Sequence, residues 1–117
     1  MKSNNVIQEK SLAFAIRIVN ACKFLTNEKK EFVLAKQMLR SGSSLGANVE
    51  ESIGGQSKAD FISKLSIAYK ESRETLYWIK LLKATSYLTT EMAHSLINYA
   101  EEICRIIGKI PITMKQP

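Results

Sequence analysis

Polar side chains recur at helical spacing in the second quarter of the chain. Arg40, Ser44, Asn48 and Glu51 follow one another at intervals of four, four and three residues, which places them on one side of a helix. A polar face beside an apolar core needs partners, because a buried polar group left unpaired costs about 1–3 kcal/mol. The stretch therefore predicts a polar contact between two helices.

Further along the chain, either Glu71 or Glu74 is the expected partner of Arg40. One interpretation is a structural polar network that fixes the register of the helices or their assembly. The other is a carboxylate active site. The chain offers no second catalytic group at a defined spacing from these residues, so we favour the network. We expect no catalytic residues and a non-enzymatic protein.

Glu91 and His94 have the Glu-x-x-His spacing of a di-iron ligand pair in ferritin-like bundles. Those sites need two such motifs and two further glutamates, whereas this chain has one histidine. His94 also shares a stripe with Asn98, Glu101 and Arg105, which is polar throughout and predicts a solvent-facing surface. We therefore expect neither a metal nor another cofactor.

A third group of residues could bind nucleic acid. On the third predicted helix, three cations and one tyrosine share a stripe, where cations would meet phosphates and the tyrosine would stack on a base. The first helix adds three cations that could extend this surface. The candidate nucleic-acid-binding residues are Lys70, Arg73, Tyr77 and Lys80, with Lys10, Arg17 and Lys23 in support. The alternative is a solvated face on which Lys70 pairs with Glu74 at i, i+4.

Helices must position all of these residues. Apolar residues recur in steps of three and four, strict alternation is absent, and no proline precedes Pro111. The first segment has two adjacent apolar stripes, which together form a broad face for a bundle. These stripes are Leu12, Ala15, Val19 and Cys22, and Phe14, Ile18, Ala21 and Leu25.

The stretch RSGSSLGANVEES at 40–52 resembles a flexible loop in composition but not in spacing. Steps of three and four continue through it without a slip, along Phe32, Ala35, Leu39, Gly42, Gly46, Val49 and Ile53. We therefore predict a helix. Each interior glycine costs about 1 kcal/mol relative to alanine, and close approach of a neighbouring helix would offset that cost. A phosphate-binding loop is disfavoured, because neither G-x-G-x-x-G nor G-K-[ST] is present.

Capping residues divide the chain into four helices. Gly54 and Gly55 suit the end of the second helix, and Ser57 suits the start of the third. We predict one domain over residues 1–117, an all-α, antiparallel, up-down-up-down four-helix bundle. The helices are expected at about 6–26, 30–54, 58–85 and 90–107, with a tail at 108–117. Cys22 and Cys104 would then lie at opposite poles and remain free thiols.

The charge distribution indicates an anionic partner. The chain of 117 residues has a formal net charge of +6, and the excess lies in residues 1–26 and 58–83, each with net +3. No apolar run approaches the roughly 20 residues of a membrane span. The N-terminus lacks the apolar segment of a secretion signal, so we expect a cytoplasmic protein without a membrane partner.

Two stretches resemble a known family. LRSGSSLGANVEES at 39–52 resembles the serine-rich motif, with its Ala-Asn pair and following glutamate, of the small four-helix-bundle proteins encoded in intervening sequences of bacterial large-subunit ribosomal RNA genes. ADFISKLSIAYKESRETLYWIKLL at 59–82 is similar to the third helix of that family. Ser52 departs from the family pattern, which has glycine there. The residues that carry the match are Arg40, Ser41, Ser44, Ala47, Asn48, Glu51, Phe61, Ala68, Glu71, Ser72 and Glu74.

The resemblance implies a homo-oligomer, with a pentameric ring as the expected form, and no enzymatic activity. A related protein, the accessory variability determinant of diversity-generating retroelements, looks like the same bundle and works with a reverse transcriptase and nucleic acid. We therefore expect a non-enzymatic oligomer that binds RNA or single-stranded DNA. The alternative is a protein-interaction or structural assembly module that binds no nucleic acid.

Overall fold

Four antiparallel helices make up the described part of the chain. In a computed structural model that describes residues 2–115, and side chains from 6 to 110, α1 is Lys2–Asn27, α2 is Val33–Ile53, α3 is Lys58–Ala84 and α4 is Thr90–Lys115. Each helix packs on two neighbours, so that α1 lies diagonally opposite α3 and α2 opposite α4. Connections this short between helices give the predicted up-down-up-down bundle.

Side-chain caps set several of the helix boundaries. The Ser57 hydroxyl accepts from the Asp60 amide at 3.1 Å, which confirms the predicted cap of α3. The Thr89 hydroxyl likewise accepts from the Met92 amide at 3.2 Å at the start of α4. α2 begins at Val33 rather than at residue 30. The Glu31 carboxylate explains the later start, because it accepts from the amides of Val33 and Ala35 at 3.3 and 2.8 Å.

The stretch RSGSSLGANVEES is helical throughout, as predicted. Gly42 is buried within α2, and a Cβ atom there would lie 2.9 Å from Cγ2 of Ile18. A contact under 3 Å is too short for two carbon atoms. The missing side chain therefore lets α1 approach α2 at this point, which is the predicted compensation for a glycine inside a helix. At Gly46 the nearest atom would be the Ser11 carbonyl oxygen, at 3.6 Å, an ordinary contact.

The core of α1 differs from the prediction. Phe14, Ile18 and Leu25 are fully buried, as expected, but Leu12 is 63% exposed and Val19 also faces outward. The contact of Ile18 with Gly42 explains the difference. It orients the Phe14 stripe toward the core and the stripe that contains Leu12 and Val19 partly toward solvent. On α2 the buried stripe likewise runs through Met38 and Leu45, and the predicted member Phe32 is exposed just before the helix.

The end of α4 also differs from the prediction. The helix continues past Gly108 and through Pro111 to Lys115. Gly108 serves packing rather than helix termination, because a Cβ there would lie 3.0 Å from Cε1 of Tyr69 on α3. The remaining residues of the predicted tail, 116 and 117, lie outside the described residues. Cys22 and Cys104 are both free thiols, as predicted.

Replacing Gly42 with alanine should destabilise the bundle, whereas the same change at Gly46 should not. Overpacking against the buried Ile18 side chain outweighs the gain in helix propensity, so Gly42→Ala should lower the free energy of unfolding by about 1–2 kcal/mol. Gly46→Ala should raise it by up to about 1 kcal/mol. Urea unfolding of both variants at one protein concentration measures the difference. Equal stabilities would contradict the assigned close approach.

Candidate nucleic-acid interface

The polar face of α2 finds its partners on α3. Arg40 Nη1 donates to Oε2 of Glu71 at 3.2 Å, and Arg40 Nη2 donates to Oε2 of Glu74. Trp78 Nε1 donates to the same Glu74 oxygen at 2.9 Å. We call Arg40, Glu71, Glu74 and Trp78 the Arg40 cluster. It confirms that Arg40 pairs across to α3 within a single chain, and it shows that Arg40 binds both candidate glutamates.

The rest of the polar face continues this seam between α2 and α3. Asn48 Nδ2 donates to the Ser44 carbonyl at 2.9 Å, and the Glu51 carboxylate pairs with Lys64 at 2.9 Å. In the buried layer beneath, Thr75 donates to the Ser41 hydroxyl at 2.8 Å. Among the described side chains, every buried polar atom has a partner, as a structural network requires.

The family-motif residues Ser72 and Ala47 lie outside this seam. Ser72 is buried on the other side of α3, where its hydroxyl donates to the Tyr69 carbonyl at 2.7 Å and lies 3.1 Å from Sγ of Cys104 on α4. Ala47 is exposed and borders a small cavity of about 220 Å³ between α1 and α2. The motif therefore serves three different contacts of the bundle rather than one site.

The contacts within the Arg40 cluster favour the ionised forms of Arg40 and Glu74. The hydrogen bond from Trp78, followed by the bond and charge of Arg40, holds the pKa of Glu74 below its usual value despite some desolvation. The same contact with Glu74 raises the pKa of Arg40. A general acid or base that works near neutral pH needs a pKa near neutrality. Glu74 is shifted in the opposite direction, so its carboxylate is suited to pairing with Arg40.

A groove between α3 and α4 gathers most of the predicted binding residues of α3. It has a volume of about 530 Å³ and includes Arg73, Tyr77 and Lys80. Tyr77 is 57% exposed and lies edge-on to Trp78, with ring centroids 5.1 Å apart. Lys70 is exposed one turn before Arg73 but does not line the groove. We call this cavity the α3–α4 groove.

The predicted binding cations of α3, which are Lys70, Arg73 and Lys80, are available to a ligand. Within residues 6–110, no carboxylate forms an ion pair with Lys70, Arg73 or Lys80. The expected pair of Lys70 with Glu74 does not form, because Glu74 is bound by Arg40 and Trp78 instead. The positive charge of this face is therefore not neutralised by its own helix.

The supporting cations of α1 lie on the other side of α4. Lys10 pairs with Glu102 at 3.2 Å, and Arg17 donates to the Ser95 hydroxyl at 2.6 Å. Both also lie over the ring of Tyr99, at 5.9 and 5.7 Å from its centroid. α4 thus separates these two residues from the α3–α4 groove. Lys23 is exposed on α1 and, among the described residues, has no ion pair.

Five groove residues were not among the predicted binding residues. The rest of the lining is formed by Tyr69 and Leu76 of α3 and by Glu101, Cys104 and Arg105 of α4. Glu101 and Arg105 lie four residues apart on the stripe that the sequence assigned to solvent. The spacing alone could have placed them together on one face, but only the packing of α4 on α3 shows that this face borders the cations of α3.

Glu91 and His94 do not belong to a set of metal ligands within the described part of the chain. His94 is exposed, and its Nε2 lies 3.3 Å from Nζ of Lys83. Over the described residues, no group of three or more histidine, cysteine, aspartate or glutamate side chains is arranged to hold a metal ion. None of the helices in the described part of the chain has the length and apolarity needed to cross a membrane.

Comparison with known proteins identifies relatives of the whole bundle. The model of the family described as 23S rRNA-intervening sequence protein matches residues 3–109. A solved structure from Bacteroides thetaiotaomicron VPI-5482, described as a protein with unknown function from the S23 ribosomal protein family, is 53% identical in sequence. The match covers 94% of this chain and 98% of that chain, with a TM-score of 0.92. No curated protein matches the chain.

The single tryptophan should report the ionisation of Glu74. Because Trp78 donates to Glu74, protonation of that carboxyl should change the emission of Trp78, with a midpoint below about 4.3, the ordinary pKa of glutamate. Arg40→Gln should raise this midpoint, since Arg40 favours the charged carboxylate. The measurement is a fluorescence titration, with circular dichroism to confirm that the helices persist.

Lys64→Gln is the matched control, because it breaks the exposed pair with Glu51 and leaves the Arg40 cluster intact. Its midpoint should equal that of the parent protein. Since the folded-state pKa of Glu74 is depressed, the ionised form stabilises the fold above the ordinary pKa. That contribution is lost as the pH falls through the folded-state value. A midpoint above 4.3 would contradict the assignment.

Proposed function

Because the chain belongs to the 23S rRNA-intervening sequence protein family, we propose that it is a non-enzymatic, oligomeric four-helix-bundle protein of the cytoplasm that binds RNA or single-stranded DNA. One observation carries the proposal, namely the α3–α4 groove, where unpaired cations and exposed tyrosine lie together. The solved relative has no stated function, so the proposal depends on the chemistry of this chain.

The groove has the composition that a single nucleic-acid strand needs. Arg73 and Lys80 offer donors to phosphate oxygens, and their charge is not already taken by a carboxylate. The exposed ring of Tyr77 offers a surface on which any base can stack. A volume of about 530 Å³ also lies within the range of about 300–1,000 Å³ that small ligands occupy. Binding would be largely electrostatic and tolerant of sequence.

The absence of an enzymatic activity is part of the proposal. The two glutamates considered as an active site are bound by Arg40, and Glu74 is also bound by Trp78. The pKa of Glu74 is lowered, which favours a permanent charge over proton transfer. These contacts support a structural role for the Arg40 cluster.

The outer surface of α1 supports an oligomer. Leu12, Ile16 and Val19 follow at helical spacing on the side facing away from the core, and Ile16 is 54% exposed. We call these three residues the α1 outer stripe. A contiguous exposed apolar surface of this kind marks an interaction site. A homo-oligomer would bury it, and the family resemblance favours a pentamer. Five copies of a chain with charge +6 would carry +30, which strengthens attraction for phosphates.

The α1 outer stripe also supports a second candidate function. It could bind a different protein, such as a reverse transcriptase, and the chain would then be an interaction or assembly module without nucleic-acid binding. The two functions differ in their salt dependence. Only the nucleic-acid function predicts an affinity for RNA or DNA that weakens steeply as salt rises.

Charge reversal in the groove should abolish nucleic-acid binding. The parent protein should bind a labelled structured RNA or single-stranded DNA with micromolar or tighter affinity at about 50 mM salt, and tenfold or more weakly at about 200 mM. Arg73→Glu with Lys80→Glu should remove detectable binding, because two phosphate contacts become repulsive. Fluorescence anisotropy measures the dissociation constants.

The control reverses two exposed and unpaired lysines elsewhere, Lys36→Glu with Lys58→Glu. It changes the net charge by the same amount and should weaken binding far less. An equal loss in both variants would remove the groove from consideration. No binding by the parent protein at 50 mM salt would reject the nucleic-acid function and leave the interaction module.

A charge in the α1 outer stripe should dissociate the oligomer. The parent protein should sediment at a multiple of the chain mass. Ile16→Lys should sediment as a monomer that stays helical, since burying an unpaired lysine in an apolar interface is costly. Val33→Lys is the control, because Val33 is also apolar and exposed but lies on α2. A monomeric parent protein would overturn the oligomer, and an oligomeric Ile16→Lys variant would exclude this stripe.

A further inference from the structure

The composition of the α3–α4 groove goes beyond what phosphate binding requires. Three cations line it, Arg73 and Lys80 from α3 and Arg105 from α4, and a carboxylate, Glu101, lies among them. Glu101 is half-buried and, within residues 6–110, has no ion-pair partner or side-chain hydrogen bond. A groove that bound only phosphates would be weakened by a negative charge at this place. The ligand should therefore carry hydrogen-bond donors as well as negative charge.

An unpaired nucleotide satisfies both conditions. Its phosphates are anionic, its base can stack on an exposed aromatic ring, and the edge of the base carries N–H donors. The groove supplies a counterpart to each part, with cations for the phosphates, the ring of Tyr77 or Tyr69 for stacking, and the carboxylate of Glu101 for the donors. Among the residues that line the groove, Glu101 alone carries a negative charge and can accept two hydrogen bonds at once.

The four bases differ in how well they match a carboxylate. Guanine presents two adjacent donors, N1–H and the N2 amino group, which can bind both oxygens of Glu101 at once. On the same Watson–Crick edge, adenine and cytosine each present a single amino group, beside a ring nitrogen that repels the carboxylate. Uracil has one N–H between two carbonyl oxygens, which also repel it. Guanine is therefore the best partner for the groove.

We propose that the α3–α4 groove binds one unpaired guanine of an RNA or DNA strand, with Glu101 accepting hydrogen bonds from N1–H and the N2 amino group. The inference rests on the proposed nucleic-acid function and adds a base preference to it. Arg73, Lys80 and Arg105 hold the flanking phosphates, and Tyr77 or Tyr69 stacks on the base. Binding to the rest of the strand stays tolerant of sequence.

The test compares ten-nucleotide RNAs that differ at one position. The first is all uridine, the second has one central guanosine, and the third has inosine there, which keeps N1–H but lacks the N2 amino group. At about 50 mM salt the parent protein should bind the guanosine RNA about tenfold more tightly than the uridine RNA, as two hydrogen bonds to one base allow. The inosine RNA should be intermediate.

Glu101→Gln should remove the preference without removing binding. The uncharged amide has one acceptor in place of two, so the guanosine advantage should fall to less than threefold. Affinity for the uridine RNA should stay equal or rise, because a negative charge has left the groove. Glu28→Gln is the control, since it removes one negative charge from an exposed site outside the groove. It should keep the full preference.

The outcomes separate the two proposals. Equal binding of the guanosine and uridine RNAs by the parent protein would overturn the guanine site and leave the nucleic-acid function standing. A guanosine preference that persists in Glu101→Gln at the level of Glu28→Gln would also overturn it. No binding of any of the three RNAs at 50 mM salt would overturn the guanine site, and it would overturn both proposals if the structured RNA and the single-stranded DNA also fail to bind.

Discussion

The contact between α2 and α3 fixes the rotation of α3 about its own axis, and the exposed chemistry of the bundle depends on that rotation. Arg40 binds Glu71 and Glu74, and in the layer beneath, Thr75 donates to Ser41. With 3.6 residues per turn, Arg73 and Lys80 lie roughly on the opposite side of α3 from those glutamates. A rotation by one residue would bury a cation and expose a carboxylate. The contact between α2 and α3, with the Arg40 cluster outside and the hydrogen bond from Thr75 to Ser41 beneath it, therefore determines which side chains reach the α3–α4 groove.

The same contact separates charge on α3. Both of its glutamates point toward α2 and are bound by Arg40, which leaves the far side of the helix without an acidic residue of its own. A cluster this exposed contributes little to stability, since Arg40 remains half exposed to solvent. Its larger consequence is electrostatic. No carboxylate of α3 neutralises Arg73 or Lys80. The acidic residue of the groove is Glu101, which belongs to α4, and any ligand must accommodate its negative charge.

The sequence predicts the rotation of α3 better than it predicts the rotation of α1. On α3 a single stripe, including Leu65, Ser72 and Ile79, is consistently suited to burial, and the structure buries it. On α1 two apolar stripes lie side by side, and periodicity alone cannot rank them. The close approach of Ile18 to Gly42 decides between them, and that contact depends on two helices at once. For the same reason the sequence shows neither the contact of Tyr69 with Gly108 nor the place of Glu101 in the groove.

The geometry of the bundle lets assembly and ligand binding use different surfaces. α1 lies diagonally opposite α3, so the α1 outer stripe and the outer face of α3 point in different directions. In the proposed oligomer, contacts made through α1 would leave the cations of α3 exposed to solvent. Each subunit would then present one groove, and the repeated grooves would bind one strand with higher avidity than a single bundle. α4 would connect the two proposed functions, because Lys10 and Arg17 of α1 hold it on one side and its own Glu101 and Arg105 line the groove on the other.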